Sequence, residues 1–389
     1  MDMLILNGNV WRSGSFKKLN IVVRNGKIQN VNSNQEKSGI KENYKVIDAE
    51  NQYILPGIID CHVHLSMNGR AHPMAELSKS SEAEAAIVAA LSSNKLLRSG
   101  ITTIRECGGI AEESLIIKEA IENGEIRGPR IIPCINAIKI PGGHFVGKEI
   151  TGPNESRRAA RELIGGGARF IKLMATGGLG KIGEEPGVVE LNVDEMEAAA
   201  YEGKKHGMSV AAHCHSKEGM MNALKAGATT LEHCTFLDEE VIDMMLEHDV
   251  FMVPTFSPYE LISRYGKDSG VSTYMCRMAE EICEYKNKTF VSAYKRGVKI
   301  AFGRDAGAPF TKHEDYTVEM KAMEKAGMTK EDIIISATET AAKALNLYDE
   351  VGSIEKDKYA DMIILSENPL IDLENFKKIN YVIKEGKIV

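Results

Sequence analysis

The sequence predicts an α/β fold, a (β/α)8 TIM-like barrel with a small β-sandwich domain formed by both termini. Short apolar runs alternate with segments of helical pattern, which is typical of strands joined by crossover helices. There are eight such runs, the number of strands in a closed barrel of this kind. Strand-like segments occur at both ends of the chain, and those near the amino terminus contain Asn-Gly turns. The expected small domain therefore comprises residues 1–55 and 349–389, and the barrel comprises residues 56–348.

The eight predicted barrel strands are mostly rich in Val and Ile, as parallel strands that are buried on both faces should be. They are residues 54–62, 101–107, 130–135, 170–175, 209–213, 230–234, 251–255 and 299–303. Asn192, Ser216 and Asp238 are predicted to cap helices between the later strands. A doubly wound open sheet is the alternative, but no GxGxxG motif opens the first strand-to-helix turn.

The longest predicted loops follow strands rather than helices. They are residues 65–80, 136–153, 176–190 and 256–272. In a barrel, the loops that follow strands open at the face where active sites are built. Long loops are usually functional, so four of them on one face predict a lidded site.

The terminal segments are predicted to form the small β-domain. Its expected strands are residues 3–10, 19–31, 44–47, 360–365 and 381–389, with turns at Asn7-Gly8 and Asn25-Gly26. Residues 21–28 and 382–388 share a sequence pattern, so we expect the two termini to pair with each other.

Composition and charge argue against several classes of protein. Hydrophobic residues make up 43% and charged residues 26%, as in globular proteins rather than disordered ones. The mean hydropathy is -0.21 and no apolar run is long enough to span a bilayer, so no membrane partner is expected. The formal net charge of -7 argues against a nucleic-acid partner. The first ten residues lack the features of a signal peptide and the seven cysteines form no CxxC pair. We therefore expect a cytoplasmic protein with reduced thiols, and leave a homo-oligomer open.

Two histidines end the first predicted barrel strand. His62 and His64 point the same way, because side chains alternate along a strand. In a barrel strand that direction is inward, and two converging imidazoles suit a divalent metal such as zinc. Later predicted strands end with further candidate ligands, which are His213, His215, His233 and Asp305.

Lys172 lies inside a strand that is otherwise apolar, residues 170–174. A buried ammonium group without a partner costs several kcal/mol, so Lys172 must be paired, neutral or chemically modified. No acidic residue lies next to it in that strand. The alternative is a lysine that extends past the strand end to water.

This set of residues resembles the amidohydrolase superfamily of the binuclear type. The resemblance is carried by Pro56-Gly57-Ile58-Ile59-Asp60-Cys61-His62-Val63-His64, by Lys172, His213, His233 and Asp305, and by residues 352–361. It implies two divalent metal ions, expected to be zinc, that are bridged by a carbamate on Lys172. It implies that one metal is held by His62, His64 and Asp305, and the other by His213 and His233. It also implies that Asp305 carries a proton from the nucleophilic water to the leaving amine.

Strand parity allows either His213 or His215 to be the ligand on the fifth strand. The resemblance selects His213, which leaves His215 as a candidate for contact with a ligand or with the substrate. Arg304 stands where similar proteins often have Thr. Because neighbours in a strand face opposite ways, Arg304 is expected to point away from the metal site.

Within the superfamily, the sequence is most similar to prolidase-like (Xaa-Pro) and Xaa-Arg dipeptidase-carboxypeptidases. The similar segments are residues 171–178, 185–187 and 231–233. Gly142-Gly143-His144 also resembles a substrate-binding segment, which implies that His144 polarises the scissile carbonyl. A loop histidine in water is the alternative for His144. The other candidate substrate-binding residues are Tyr259, His215 and the cations Arg70, Lys139, Lys181 and Arg304, which could bind a substrate carboxylate.

The sequence therefore predicts a metal-dependent hydrolase that cleaves the amide bond of a dipeptide or N-acyl amino acid by attack of a metal-bridging hydroxide. A cyclic amide or imidazolone hydrolase and a heterocycle deaminase of the same superfamily are the alternative enzymes. Mononuclear deaminases need no carbamate on the fourth strand, so Lys172 argues against that class. A catalytically silent scaffold would be expected to lack several ligands, whereas all six ligand positions are filled here.

Overall fold

The computed structural model describes residues 2–33, 44–179 and 185–389. Strands and helices alternate through the middle of the chain, whereas strands cluster at its ends. The strands are β1 Met3–Arg12, β2 Ser15–Arg24, β3 Lys27–Asn32, β4 Lys45–Asp48, β5 Tyr53–Pro56, β6 Ile58–Val63, β7 Ile101–Glu106, β8 Arg130–Pro133, β9 Ile138–Lys139, β10 Lys148–Glu149, β11 Phe170–Met174, β12 Ser209–Cys214, β13 Thr230–His233, β14 Phe251–Val253, β15 Lys299–Ile300, β16 Met362–Leu365, β17 Ile379–Lys384 and β18 Lys387–Ile388. The α-helices are α1 Pro73–Leu77, α2 Glu82–Arg98, α3 Glu113–Glu122, α4 Pro153–Gly165, α5 Val193–Lys205, α6 Lys217–Ala226, α7 Glu239–Glu247, α8 Ser257–Tyr265, α9 Thr273–Lys295, α10 Thr317–Lys325, α11 Lys330–Ile335 and α12 Ala341–Ala344.

The strands in the middle of the chain form two parallel sheets. One sheet has seven strands in the order β10-β9-β11-β12-β13-β14-β15, and the other has three in the order β6-β7-β8. Every hydrogen-bonded pair in both sheets is parallel. The predicted α/β class with parallel strands is therefore confirmed, but the described strands do not form one continuous closed sheet.

Backbone hydrogen bonds outside the strand ladders join the two parallel sheets at both seams. At one seam, Cys61 N donates to Phe302 O at 2.9 Å, and at the other, Arg169 N donates to Pro133 O at 2.8 Å. β15 ends at Ile300, and further along the same seam an isolated parallel bridge pairs Ala306 with Val63 of β6.

The first predicted barrel strand is wrong in one respect, because Gly57 breaks it in two. β5 belongs to the sheet of the termini, and β6 belongs to the three-stranded parallel sheet. Gly57 lies so close to Thr102 that an added Cβ atom would come within 2.1 Å of Thr102 Oγ1. The seven other predicted barrel strands correspond to β7, β8 and β11 to β15. β9 and β10 lie in a predicted loop, because strands of two residues have no readable period.

Both termini contribute to one mixed sheet of eight strands, in the order β18-β17-β16-β5-β1-β2-β3 with β4 beside β1. The two termini pair as predicted, through antiparallel hydrogen bonding of β16 with β5. The sequence predicts a sandwich, and hydrogen bonding connects all eight strands in a single sheet. β1 pairs with β2 from Met3 to Arg12 along one edge, and with β4 and then β5 along the other edge.

The two Asn-Gly pairs near the amino terminus have different roles. Asn25 and Gly26 have φ of 50° and 79° and turn β2 into β3, as a tight hairpin requires, so that predicted turn is confirmed. Asn7 and Gly8 lie inside β1, where the register against β2 shifts between Ile5 and Gly8. This second pair marks a β-bulge, and its prediction as a turn is wrong.

The predicted helix caps are confirmed. Asn192 and Glu195 form a capping box at the start of α5. The Ser216 side chain accepts from Gly219 N at the start of α6, and Asp238 does the same for α7. Each cap satisfies a backbone N–H that would otherwise have no partner in the first turn.

All seven cysteines lie in the described part of the chain as free thiols, and six of them are buried. Over residues 2–33, 44–179 and 185–389, no helix has both the length and the apolar character needed to cross a bilayer.

Arg130 on β8 joins the three-stranded sheet to the sheet of the termini. Its guanidinium donates to Asp361 Oδ2 at 2.6 Å and to Glu385 Oε1 at 3.0 Å. Asp361 is 5% exposed, so its carboxylate depends on this donor.

We expect Arg130→Met to lower the free energy of unfolding by about 2 kcal/mol, because it leaves the buried Asp361 carboxylate without its charged partner. Urea unfolding followed by circular dichroism measures the loss. Arg127→Met, at an exposed position just before β8, is the matched control. Equal stability of the two variants would contradict this role for Arg130.

Candidate metal centre and active site

Imidazoles gather at the C-terminal ends of the parallel strands, where the sequence predicts metal ligands. Their candidate ligand atoms form two groups, and within each group all the atoms lie within 4.8 Å of one another. The first group is His62, His64 and Asp305, and the second is His213, His215 and His233. The groups are neighbours, because the ring centroids of His62 and His233 are 4.9 Å apart. The structure thus brings together all five predicted His and Asp ligands, and it adds His215 to them.

Lys172 on β11 is enclosed beside both groups. The residue is 1% exposed, and its Nζ has no hydrogen-bond partner among the described residues. Burial, and then positive charges that include Lys172, lower the pKa of His62 in the first group and of His213 in the second. The Lys172 side chain therefore does not extend to water. Among the described residues its amine has no hydrogen-bond partner, although its charge acts on Asp305, and a buried amine in this situation is a candidate for chemical modification.

Burial keeps the imidazoles neutral. It lowers the pKa of His64 to about 3, and for the same main reason the pKa of His233 falls well below its usual value. A neutral imidazole offers a lone pair to a metal. Burial also raises the pKa of Asp305 to about 6, although the charges of Lys172 and His144 act in the opposite direction. A carboxyl group with this pKa can accept and release a proton near neutrality.

A hydrogen bond at Nδ1 orients each of three imidazoles, so that Nε2 is left for a ligand. His62 Nδ1 lies 2.8 Å from Glu232 Oε2, and His64 Nδ1 lies 2.9 Å from Gly108 O. His233 Nδ1 lies 2.7 Å from the hydroxyl of Thr255. The Nε2 atom of His233 is buried and has no partner among the described residues, as expected of a ligand atom.

His213 and His215 are oriented differently. His213 Nε2 lies 3.4 Å from Gly177 O, which leaves its Nδ1 as the candidate ligand atom. His215 Nδ1 lies 2.7 Å from Thr235 Oγ1, and its Nε2 lies 3.5 Å from Tyr259 Oη. His215 therefore links the second group to Tyr259, which agrees with its prediction as a residue that contacts a ligand or the substrate.

Arg105 and Glu232 support His62 and were missed at the sequence level. Both are fully buried, and Arg105 Nη2 donates to Glu232 Oε1 at 2.6 Å while Glu232 Oε2 holds His62. Arg105 also donates to Thr230 Oγ1 at 3.0 Å and to Cys61 O at 2.7 Å. Arg105 could have been found by the signal that drew attention to Lys172, because it is also a cation within a strand whose residues are all buried.

Several strand ends carry left-handed backbone at residues that are not glycine. The φ angles are 69° at His233, 48° at Thr255 and 56° at Asp305. Each such residue costs about 1–3 kcal/mol and persists only where its surroundings hold it. The strain therefore falls at the residues that aim side chains into the site.

A cavity lies over the two groups, and its wall combines imidazoles with apolar side chains. It is lined by His64, Met67, Met74, His144, Phe145, Leu179, His213, His215, His233, Pro258, Tyr259, Ile262, Asp305, Ala308 and Pro309. His144, His215 and Tyr259, which are predicted to bind substrate, are among these lining residues. Among the described lining residues there is no Lys or Arg.

Arg70 and Lys139, two of the cations that were predicted to bind a substrate carboxylate, are not among the residues that line the cavity. The side chain of Arg70 is 75% exposed and pairs with Glu76 at 3.4 Å, so its role in substrate binding stays a prediction. Lys139 is buried and donates to Phe145 O at 2.8 Å. Lys181, with the rest of residues 180–184, lies outside the described residues.

Arg304, another of the predicted cations, is buried in an ion pair and is not among the residues that line the cavity. Its Nε donates to Asp60 Oδ2 at 2.8 Å, and its Nη1 donates to Lys312 O at 2.5 Å. Asp60 in turn accepts from His62 N at 3.1 Å. As predicted from strand parity, Arg304 faces away from the candidate ligands, and the ion pair fixes the strand end that carries His62.

His144 lies over the second group rather than in water. Its ring stacks on His213 with centroids 4.3 Å apart. Its backbone N donates to Glu190 at 2.8 Å, so a carboxylate from the following loop holds the segment. Gly178 lies directly beside the ring, and an added Cβ atom there would come within 2.3 Å of His144 Cε1.

The fold and the site together define a class: an α/β enzyme with neutral imidazoles and a buried lysine at the C-terminal ends of its parallel strands. Residues 53–389 match the Amidohydrolase family. The chain belongs to this family and is one of its hydrolases.

Known proteins that are similar to this chain act on different substrates. A Xaa-Pro dipeptidase with methionine bound in its active site is 31% identical, with a TM-score of 0.91 and coverage of 100% of both chains. Ochratoxinase from Aspergillus niger is 29% identical over 373 residues, which are 86% of this chain and 75% of that protein. A structure of the A. niger ochratoxinase covers 100% of this chain and 95% of its own, with a TM-score of 0.85 and 26% identity. A 5-methylthioadenosine/S-adenosylhomocysteine deaminase from Halalkalibacterium halodurans is 24% identical over 363 residues, or 82% of this chain and 74% of its own.

We expect Gly178→Ala to displace the His144 ring, because the new methyl group would occupy its place. A shift of about 1 Å in a catalytic group can lower kcat/KM about 100-fold, and we expect a loss of that order. Steady-state kinetics measures it. Gly187→Ala in the same loop is the control, since its Cβ atom would meet nothing within 4 Å. Equal activity of the two variants would mean that His144 does not act on the substrate.

Proposed function

We propose that this hydrolase cleaves the amide bond of a dipeptide or N-acyl amino acid with two divalent metal ions. The observation that carries the proposal is the buried Lys172 amine, whose Nζ has no hydrogen-bond partner among the described residues and which lies beside the two groups of candidate ligands. Carboxylation of the neutral amine by carbon dioxide would give an anionic ligand with release of one proton, and from the ammonium form two protons would be released. That change would avoid the cost of a buried cation and would supply a bridge between the groups.

The donor set fits zinc, which accepts imidazole nitrogen and carboxylate oxygen. His62, His64 and Asp305 would hold one ion, His213 and His233 the other, and the carbamate on Lys172 would bridge them. When bound, the two ions would lower the pKa of a coordinated water and polarise the scissile carbonyl.

The side chains of this chain supply the remaining steps. Asp305 accepts a proton from the attacking water and delivers it to the leaving nitrogen. His144 donates a hydrogen bond to the carbonyl oxygen from the face opposite the two groups, which stabilises the charge that develops there. His215 and Tyr259 contact the polar end of the substrate at the cavity wall.

The residues that line the cavity favour an apolar substrate. Eight of its lining residues are Met, Phe, Leu, Pro, Ile or Ala, and no described lining residue is Lys or Arg. We therefore propose that an apolar side chain or acyl group flanks the amide, and that imidazoles and Tyr259 bind the polar end. The similarity to a Xaa-Pro dipeptidase with bound methionine and to ochratoxinase supports this substrate class.

We also propose that the two parallel sheets act as one barrel, which the backbone hydrogen bonds at both seams support. The division into 1–55, 56–348 and 349–389 remains our proposal for the domain limits. A deaminase is the second candidate, favoured by the similarity to the deaminase of H. halodurans. The enclosed Lys172 argues against it, because mononuclear deaminases need no carbamate on this strand.

The test is a product screen by mass spectrometry with enzyme that has been loaded with zinc in bicarbonate. Dipeptides, N-acyl amino acids, cyclic amides and amino-heterocycles are supplied together. We expect release of a free amino acid, fastest from substrates with apolar groups on both sides of the amide. Ring opening or ammonia release, with dipeptides and N-acyl amino acids untouched, would contradict the proposal.

The variant Lys172→Ala tests whether activity and metal binding depend on this lysine. We expect it to lower kcat/KM at least about a thousandfold, because the metal ions supply several kcal/mol of transition-state stabilisation. The metal content of the variant should fall with its activity. Lys225→Ala, at an exposed position on α6, should leave both unchanged. If Lys172→Ala kept both metals and full turnover, the bridging carbamate would be wrong.

A further inference from the structure

The segment after β14, residues 254–257, is held from two sides by buried charged residues that the proposed mechanism does not use. Lys286 comes from α9 and Glu319 from α10, and they are 1% and 0% exposed. Charged side chains are almost never buried this completely unless a specific set of partners holds them. Their partners therefore show what the two residues do.

Lys286 holds the first half of the segment. Its Nζ donates to Pro254 O and, at 3.3 Å, to Thr255 O. The same ammonium lies over the rings of Phe256 and Tyr259, at 4.9 Å and 5.0 Å from their centroids. Two carbonyls and two aromatic faces together compensate the buried charge.

Glu319 holds the second half of the segment. Its carboxylate accepts from Phe256 N at 2.7 Å, from Ser257 N at 2.7 Å and from Ser257 Oγ at 2.6 Å. These donors open helix α8, where a carboxylate is favourable for the exposed N–H groups. Lys286 and Glu319 thus form hydrogen bonds with different backbone atoms of one short segment.

Residues 254–257 include one residue of the site, Thr255, and are followed closely by another, Tyr259. Thr255 carries the hydroxyl that lies 2.7 Å from His233 Nδ1, and its φ of 48° is unfavourable for a β-branched residue. Thr255 N also donates to Gly303 O at 3.1 Å. Tyr259, in the first turn of α8, lines the cavity. A backbone in a strained conformation keeps its place only if its surroundings hold it there.

We propose that Lys286 and Glu319 are positioning residues, which hold residues 254–257 so that Thr255 orients His233 and Tyr259 stays at the cavity wall. This inference rests on the proposed function, in which His233 holds one of two metal ions. It assigns a role to two residues that touch neither substrate nor metal, and it makes retention of one metal depend on helices α9 and α10.

The experiment measures zinc loss from the holoenzyme to a chelator in Lys286→Met and Glu319→Gln. We expect one of the two zinc ions to be lost 10–100 times faster than from the wild type, and the other at the wild-type rate, because residues that orient a ligand affect metal affinity to this extent. Lys288→Met and Glu324→Gln, on the same two helices, are the controls and should release zinc as the wild type does. Wild-type rates in the folded Lys286→Met and Glu319→Gln variants would overturn the inference.

Thr255→Val separates positioning from a general loss of stability. It removes the hydroxyl that holds His233, and we expect it to speed the loss of the same zinc ion by a similar factor. In the double variant with Lys286→Met, the two effects should be strongly non-additive, since both act through one contact. Additive effects would overturn the inference. If Lys286→Met does not fold, Glu319→Gln with Thr255→Val provides the same cycle.

The outcome also distinguishes this inference from the proposed function. Wild-type protein that binds no zinc would show that the proposed function has failed. Wild-type protein that binds two zinc ions, with variants that release them at the wild-type rate, would show that only the positioning role has failed.

Discussion

The site depends on one constraint, the burial of the Lys172 amine beside the imidazoles with no hydrogen-bond partner at Nζ among the described residues. An ammonium there would be costly, and it would also repel the cations that the surrounding imidazoles are suited to bind. In the function that we propose, carboxylation would resolve both problems, because it would convert the amine into an anionic ligand for the two metal ions. The neutral state of the histidines and the absence of any Lys or Arg among the described lining residues of the cavity are then parts of one electrostatic arrangement.

Groups from other strands and helices orient the candidate ligands through hydrogen bonds. Arg105 and Glu232 reach His62 across the interior of the parallel sheets, and Gly108 holds His64 through its carbonyl. Lys286 and Glu319 hold the segment that orients His233 from the helical layer outside. His62, His64 and His233 each have a partner at Nδ1 that orients the ring, and that requirement explains why so many polar groups are buried around an otherwise apolar core.

The sequence was sufficient to predict that the candidate ligands come together, because their positions follow from local rules. A period of two places His62 and His64 on one face, and strand ends place His213, His233 and Asp305 at one edge. The pairing of long side chains was not predictable in the same way. Arg304 meets Asp60 across 244 positions of sequence, and Arg70 points outward, although both are cations near the predicted catalytic face. Periodicity indicates which face a residue occupies, but it does not indicate which distant partner a side chain finds.

The measurement that tests the bridging lysine most directly is anomalous X-ray diffraction at the zinc absorption edge, from crystals grown with zinc and bicarbonate. We expect two peaks, one among His62, His64 and Asp305 and the other beside His213 and His233. We also expect branched electron density beyond Lys172 Nζ that reaches both peaks. A single peak, or an unmodified lysine beside two peaks, would contradict the bridging carbamate.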